Sequence, residues 1–227
     1  MQKINWHTFA APDEVATAAC RLILAEAEKA IADRGAFKLV LAGGTTPEKV
    51  YQLLAQSQAD WDQWHIFFGD ERCLPAEHQD RNSIMASRAL LDKVKIPAGQ
   101  IHVMPTELGP EPAAEAYRKT VAGVGSFDLV LLGMGEDGHT ASLFPGHEHA
   151  VDETVHAVYD SPKPPPERIS LSAKTLSQSR RVLFLVTGAG KHDAVRQWKQ
   201  GADLPVARIQ CAQGVDVYID AAALKGA

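Results

Sequence analysis

The chain has 227 residues, 45% hydrophobic and 22% charged, an ordinary globular composition with ample length for a buried core. A formal charge of −5, from 28 acidic against 23 basic residues, argues against a nucleic-acid partner. No apolar run reaches the length of a bilayer span, and residues 1–14 lack the apolar stretch of a signal peptide. Three widely spaced cysteines, Cys20, Cys73 and Cys211, with no C-x-x-C, fit a reducing compartment. The expectation is a cytoplasmic protein with neither nucleic acid nor membrane as partner. Oligomeric state is not legible, and a monomer is the default.

Strand-like and helix-like segments alternate along the chain. A first strand is predicted within residues 3–9 (KINWHTF). Pro12 and Asp13 open a helix whose apolar positions Val15, Ala19, Leu22, Ile23, Ala27, Ala30 and Ile31 recur near the helical period, with Gly35 as its stop. Residues 37–42 (FKLVLA) predict a buried strand running into Gly43-Gly44-Thr45-Thr46-Pro47 and a helix over 48–57. The strand WHIFFGD (64–70) ends at Asp70-Glu71-Arg72. A helix over 82–94, a strand over 101–105 (IHVMP) and a helix over 111–123 follow. Residues 127–133 (FDLVLLG) read as the central strand. Strands over 155–160 and 168–173 flank the proline-rich SPKPPPE, and a strong strand covers 180–188 (RRVLFLVTG). A helix over 191–201 and a last strand over 215–220 complete the series.

Apolar strands bounded by glycine loops and separated by helices predict an α/β fold, a mostly parallel sheet with helices on both faces. No compositional break marks a linker. One domain over residues 1–227 is expected, and the proline-rich 161–166 is the one place for a subdomain break.

The segment from Phe127 to Pro145 carries the most chemistry. A buried strand enters a glycine-rich turn that delivers Asp137 and His139 to a strand end, where open α/β folds place their ligands. Gly133, Gly135 and Gly138 also spell G-x-G-x-x-G, the dinucleotide fingerprint. Pro145 and Gly146 cut short the helix that such a site needs, within about two turns. Asp160 is followed by SPKPPPE rather than by a second βα unit, so a nucleotide is disfavoured. His139 can take a proton from water at neutral pH, and a carboxylate such as Asp137 can fix its tautomer. Spacing alone does not say whether the two touch. His147, Glu148 and His149 raise a metal alternative, but H-x-H on a Pro-Gly loop matches no standard zinc spacing, and no metal is expected.

Gly43 and Gly44 let the backbone approach a ligand, and the amides of the helix behind them favour an anion. Thr46 before Pro47 reads as an N-cap, or Thr45 with Glu48 as a capping box; either accounts for the threonines without a ligand. Asp70, Glu71 and Arg72 read equally as a solvated loop or as cleft residues, with Asp70 near a reacting carbon and Arg72 near an anion. Arg168 starts a strand. Lys191 follows Thr187-Gly188-Ala189-Gly190 at a helix start, out of step with the helix dipole, and a bound anion would remove that conflict.

Together these blocks resemble the 6-phosphogluconolactonase family, which is related to glucosamine-6-phosphate deaminase. The matching segments are LAGGTTP, FFGDERCLP followed by DRNS, FDLVLLGMGEDGHTASLFPG, RISLS and LFLVTGAGK, in the family's order from about Leu41 to Lys191. The resemblance implies a Rossmann-like sandwich without a nucleotide. It implies hydrolysis of 6-phospho-D-glucono-1,5-lactone to 6-phosphogluconate, the second step of the oxidative pentose phosphate pathway, without a cofactor. It further implies His139 as general base, Asp137 as its supporting carboxylate, and phosphate contacts from Gly43, Gly44, Thr45, Thr46, Arg168 and Lys191, with Arg72 added. Asp70 falls where the deaminases keep a proton-transferring carboxylate. The alternative is a glucosamine-6-phosphate deaminase/isomerase. That branch carries a glutamate shortly after the histidine, in a motif resembling DGHIAFNEP, where this chain has Phe144. On the expected mechanism His139 activates the water that attacks C1. Amides of the Gly133–Gly138 turn are the candidate oxyanion donors.

Overall fold

A computed structural model describes residues 2–150 and 152–225. The first half of the chain runs β1 (Ile4–Phe9), α1 (Pro12–Arg34), β2 (Phe37–Leu41), α2 (Thr45–Leu54), β3 (Trp64–Phe68), β4 (Asp70–Arg72), α3 (Asn82–Ala86) and α4 (Pro110–Val121). The second half runs β5 (Phe127–Gly133), β6 (Val155–Val158), β7 (Arg168–Leu171), α5 (Ala173–Ser177), β8 (Ser179–Val186), α6 (His192–Lys199), α7 (Pro205–Arg208), β9 (Val215–Asp220) and α8 (Ala221–Leu224).

Six strands form a parallel sheet in the order β1-β9-β8-β5-β2-β3, the α/β sandwich that the alternation predicts. Its central strands are apolar along their length because helices cover the sheet. Leu39, Leu129, Leu131, Val182 and Phe184 are all fully buried. Local chemistry sets the element bounds. Pro12 lies in the first turn of α1 with Asp13 and Glu14, and Gly35 takes φ +76 while its N–H caps the Ile31 carbonyl.

The sheet order fixes where a ligand can sit. From β2 the chain moves outward to β3, whereas from β5 it moves the other way to β8 and β9. The boundary between β2 and β5 is therefore a topological switch point, and the crevice beyond the carboxyl ends of such strands is the ligand position of open α/β sheets. The loops after β2, β3, β5 and β8 all open there.

Three expectations need correction. The strand at 70–72 and those at 155–158 and 168–171 do not extend the parallel sheet. They form a separate antiparallel sheet, β4-β7-β6, that pairs Asp70 with Ser170 and Arg72 with Arg168. The segment 101–105 is not a strand. It makes one parallel bridge, Ile66 to Ile101, with the His102 N–H donating to the Ile66 carbonyl at 2.8 Å, before Pro105 leads into a short 3-10 turn. The helix over 82–94 is α-helical only to Ala86 and continues as a π turn over Ser87–Leu91. The short helices α5, α7 and α8 were not anticipated.

Candidate active site

The four loops at the switch point enclose a cleft of about 320 Å³. Its lining includes Gly43, Gly44, Asp70, Arg72, Gly135, His139, Arg168 and Lys191. Residues that the sequence spreads over nearly 150 positions thus converge on one crevice.

The turn after β5 is built around a contact that tolerates no side chain at Gly135. His139 Nδ1 lies 2.5 Å from Asp137 Oδ1, and the His139 N–H donates to the same oxygen at 3.2 Å. The Gly135 N–H donates to the His139 carbonyl at 2.8 Å and the Gly138 N–H to the Gly135 carbonyl at 3.1 Å. Those two glycine amides close the turn itself and do not point at a ligand, which removes them from the expected oxyanion donors. Gly138 takes φ +79, a conformation that suits glycine. The question left open by spacing is answered: Asp137 touches His139 directly. An ionised carboxylate only accepts, so Nδ1 carries the proton and Nε2 presents its lone pair. Burial raises the Asp137 pKa, but the neighbouring His139 charge and its hydrogen bonds outweigh that and hold the carboxyl below its ordinary value. The imidazole is 20% exposed, enough to meet a ligand in the cleft.

Phe144 flanks the same ring, with centroids 4.7 Å apart, and the Arg168 guanidinium stands 5.8 Å from the Phe144 centroid. Phe144 is itself buried. An apolar ring therefore occupies the place next to the imidazole where a carboxylate would have made a second acid–base group.

Asp70 forms part of the floor. Its Oδ2 accepts from Ser142 Oγ at 2.6 Å, and Asn82 Nδ2 donates to its main-chain oxygen at 3.0 Å and to Oδ1 at 3.3 Å. Asn82 fits closely against Gly43, where a Cβ would fall 2.1 Å from Asn82 Oδ1. Glu71 is neither solvated nor in the cleft. It is fully buried and accepts the N–H groups of Asn82 and Ser83 at 2.7 and 2.8 Å, fixing the start of α3. Sequence reading missed Asn82 and Ser142 as supports of Asp70. Only the DRNS block pointed toward the first, and nothing marked the second.

The cationic side is equally well defined. Arg72 and Arg168 stand opposite one another across β4 and β7, an arrangement that is destabilising without a counter-charge. Burial lowers the Arg168 pKa, Asp70 opposes that shift and Arg72 adds to it. Lys191, half-buried, is likewise lowered chiefly by burial, with Glu136 opposing. Thr45 and Thr46 sit in the first turn of α2 and do not line the cleft. Neither cap reading of them holds, because Gly44 is the N-cap with φ +110 and no side chain caps it. Thr46 instead bonds Thr187 Oγ1 at 2.6 Å, joining the two glycine loops.

The arrangement supplies an imidazole oriented by a carboxylate, a second buried carboxylate and a wall of cationic side chains. Among the described residues no group of three or more His, Cys, Asp or Glu is placed to hold a metal ion, and no helix is long and apolar enough to cross a membrane.

Comparison with known proteins points the same way. Residues 10–218 match the family described as "Glucosamine-6-phosphate isomerases/6-phosphogluconolactonase". A Mycobacterium tuberculosis protein named 6-phosphogluconolactonase is 40% identical over 84% of each chain. A rice (Oryza sativa subsp. indica) relative, a probable chloroplastic 6-phosphogluconolactonase, is 38% identical over 83% of this chain, which spans only 64% of the rice protein. The crystal structure of a Thermotoga maritima 6-phosphogluconolactonase superposes with TM-score 0.90 at 30% identity, covering 96% of this chain and 100% of that one.

Proposed function

The chain belongs to the family of glucosamine-6-phosphate isomerases and 6-phosphogluconolactonases, and on that premise we propose that it hydrolyses 6-phospho-D-glucono-1,5-lactone to 6-phosphogluconate. One observation carries the reading: the Asp137–His139 pair opens onto the same cleft as Arg72, Arg168, Lys191 and the Gly43-Gly44 backbone.

The phosphate end of the substrate takes the cationic wall and the glycine loop, with Thr46 holding that loop from behind through Thr187. Anchoring that end turns attack at C1 into a reaction within one complex. His139 Nε2 takes a proton from water as its oxygen bonds to C1. The tetrahedral intermediate then collapses, the bond from C1 to the ring oxygen breaks, and the imidazolium returns its proton to that oxygen. Asp137 stabilises the imidazolium between the two steps. Asp70, held by Ser142 and Asn82, faces the reacting end as a second carboxylate. The carboxylic acid product ionises and releases one proton per turnover. These steps call on no metal or organic cofactor. The deaminase alternative needs an acid–base group where Phe144 packs on the imidazole, and it loses ground on that contact.

We further assign the activity to one domain over residues 1–227, acting as a cytoplasmic monomer on a small sugar-phosphate lactone, with no nucleic-acid or membrane partner. The net charge of −5 supports the exclusion of nucleic acid. Proton release from freshly generated phosphogluconolactone, with and without the protein, tests the function. No acceleration over the spontaneous rate, or release of ammonia from glucosamine 6-phosphate instead, overturns it.

A further inference from the structure

The proline-rich segment between β6 and β7 is exposed yet heavily fastened. Buried Arg168 donates from Nε to the Pro165 carbonyl at 3.2 Å, and from Nη2 to the carbonyls of Lys163 at 3.1 Å and Pro164 at 3.0 Å. These contacts engage three of the five N–H donors of a guanidinium. Ser161 Oγ donates to the Lys163 carbonyl at 2.8 Å and accepts the Lys163 N–H at 3.2 Å, while the Ser161 N–H donates to the Pro166 carbonyl at 3.0 Å. Pro162, Pro164, Pro165 and Pro166 restrict the backbone further. The outcome is one lysine, Lys163, with a fixed backbone and an exposed side chain. A lysine that merely keeps a surface loop solvated requires no such fixing.

Lys163 lines the same cleft as Arg72, Arg168 and Lys191. The row of cations that begins with the facing pair Arg72 and Arg168 therefore continues onto the loop. We propose that Lys163 is a specificity-determining residue, a cation that helps select a phosphate monoester over its unphosphorylated counterpart, and that Arg168 is in part its positioning residue. The substrate in this statement rests on the lactone reading above; the anion preference does not. A phosphate monoester at neutral pH carries nearly two negative charges. The Lys163 charge is felt at Lys191, where it adds to the lowering that burial begins and Glu136 opposes. Two ammonium groups that repel in a partly desolvated cleft are stabilised together by a dianion placed between them. Fixing the loop beforehand removes the ordering cost that a free lysine arm would incur on binding.

The test uses the full chain with Lys163→Ala and Lys163→Arg. Steady-state kinetics are measured on the phosphorylated lactone and on glucono-1,5-lactone, and inorganic phosphate is titrated by calorimetry. Lys163→Ala is expected to raise KM for the phosphorylated substrate about fivefold with kcat nearly kept, as for a partly exposed ion pair. Phosphate affinity should fall by a similar factor, KM for glucono-1,5-lactone should not rise, and Lys163→Arg should restore both constants. In an Arg168→Lys background the Lys163→Ala effect should shrink, because the loop is already released. Unchanged KM and unchanged phosphate affinity in Lys163→Ala overturn the inference. A full effect persisting in the Arg168→Lys background overturns the positioning role. If the wild-type protein does not turn over the lactone at all, the proposed function falls, and the phosphate titration still decides the question of Lys163.

Discussion

Replacing Gly135 by alanine tests the base and its carboxylate with a single methyl group. A Cβ at Gly135 would fall 2.0 Å from His139 Nδ1, 2.2 Å from His139 Cε1 and 2.6 Å from Asp137 Oδ1, whereas real Cβ contacts do not come under 3.0 Å. The imidazole must therefore retreat by about 1 Å, since a close-packed turn has no void to absorb the methyl. Gly135 is not among the glycines with positive φ, so alanine brings no backbone strain there and the effect is displacement alone. A misplacement of about 1 Å at a reacting group lowers turnover on the order of 10²-fold, or about 2.7 kcal/mol in the barrier. Overpacking lowers stability by about 1–3 kcal/mol, which a melting curve reads separately. The assay is kcat by proton release, with phosphate affinity measured alongside. The expected result is a hundredfold loss in kcat with little change in phosphate affinity, because the cationic wall is untouched. Gly123→Ala, where nothing lies within 4 Å of the new Cβ, is the control. A folded Gly135→Ala protein with kcat within about threefold of wild type would refute the placement of His139 at the reacting carbon.

Removing the imidazole with His139→Ala should lower kcat by about 10²- to 10⁴-fold while phosphate binding persists, and near-wild-type turnover would reject its role as base. Lys191→Ala should raise KM for the phosphorylated lactone about tenfold, the value of one charge-assisted hydrogen bond, and equal turnover of phosphorylated and unphosphorylated lactone by the wild-type protein would reject the anion wall. His149 gives a pH dependence with a defined sign. Burial, then the charges of His156 and His147, lower its pKa from 6.5 to about 4. Between those values the unfolded chain binds a proton that the folded one refuses, so stability is full above pH 6.5 and declines toward pH 4. With the side chain half-buried, solvent screening reduces the loss to about 1 kcal/mol. His149→Phe keeps a ring stacked on His156 and should flatten that part of the melting-temperature profile; an unchanged slope would reject the assignment.

What could be read from the sequence followed from local rules. Buried parallel strands are apolar along their length, so FKLVL, WHIFF, FDLVLLG and RRVLFLV were visible, and Gly35 declared the end of α1. Asp137 and His139 could be singled out because polar residues clustered at the mouth of an apolar strand. The small sheet was not legible in the same way. Its pairing of Arg72 with Arg168 joins residues 96 positions apart, and no local pattern records such a register. Segment 101–105 has strand-like letters but finds one bridge partner, so its conformation is set by neighbours such as buried Arg81, which donates to the Met104 carbonyl at 2.6 Å. Glu71 read equally as a solvated or a cleft residue, since charged residues after a strand serve either way; only the fold shows that it serves the buried amides of α3. Lys163 was not singled out within the proline-rich 161–166, since the bonds that give it a fixed place come from a guanidinium beyond the loop.

The hydroxyl contact between Thr46 and Thr187 spans 141 positions of chain and makes the bends after β2 and β8 into one jaw. Tension applied by a ligand to either bend is shared with the other at once. The crevice should therefore yield to a guest on this side as a single stiff lip.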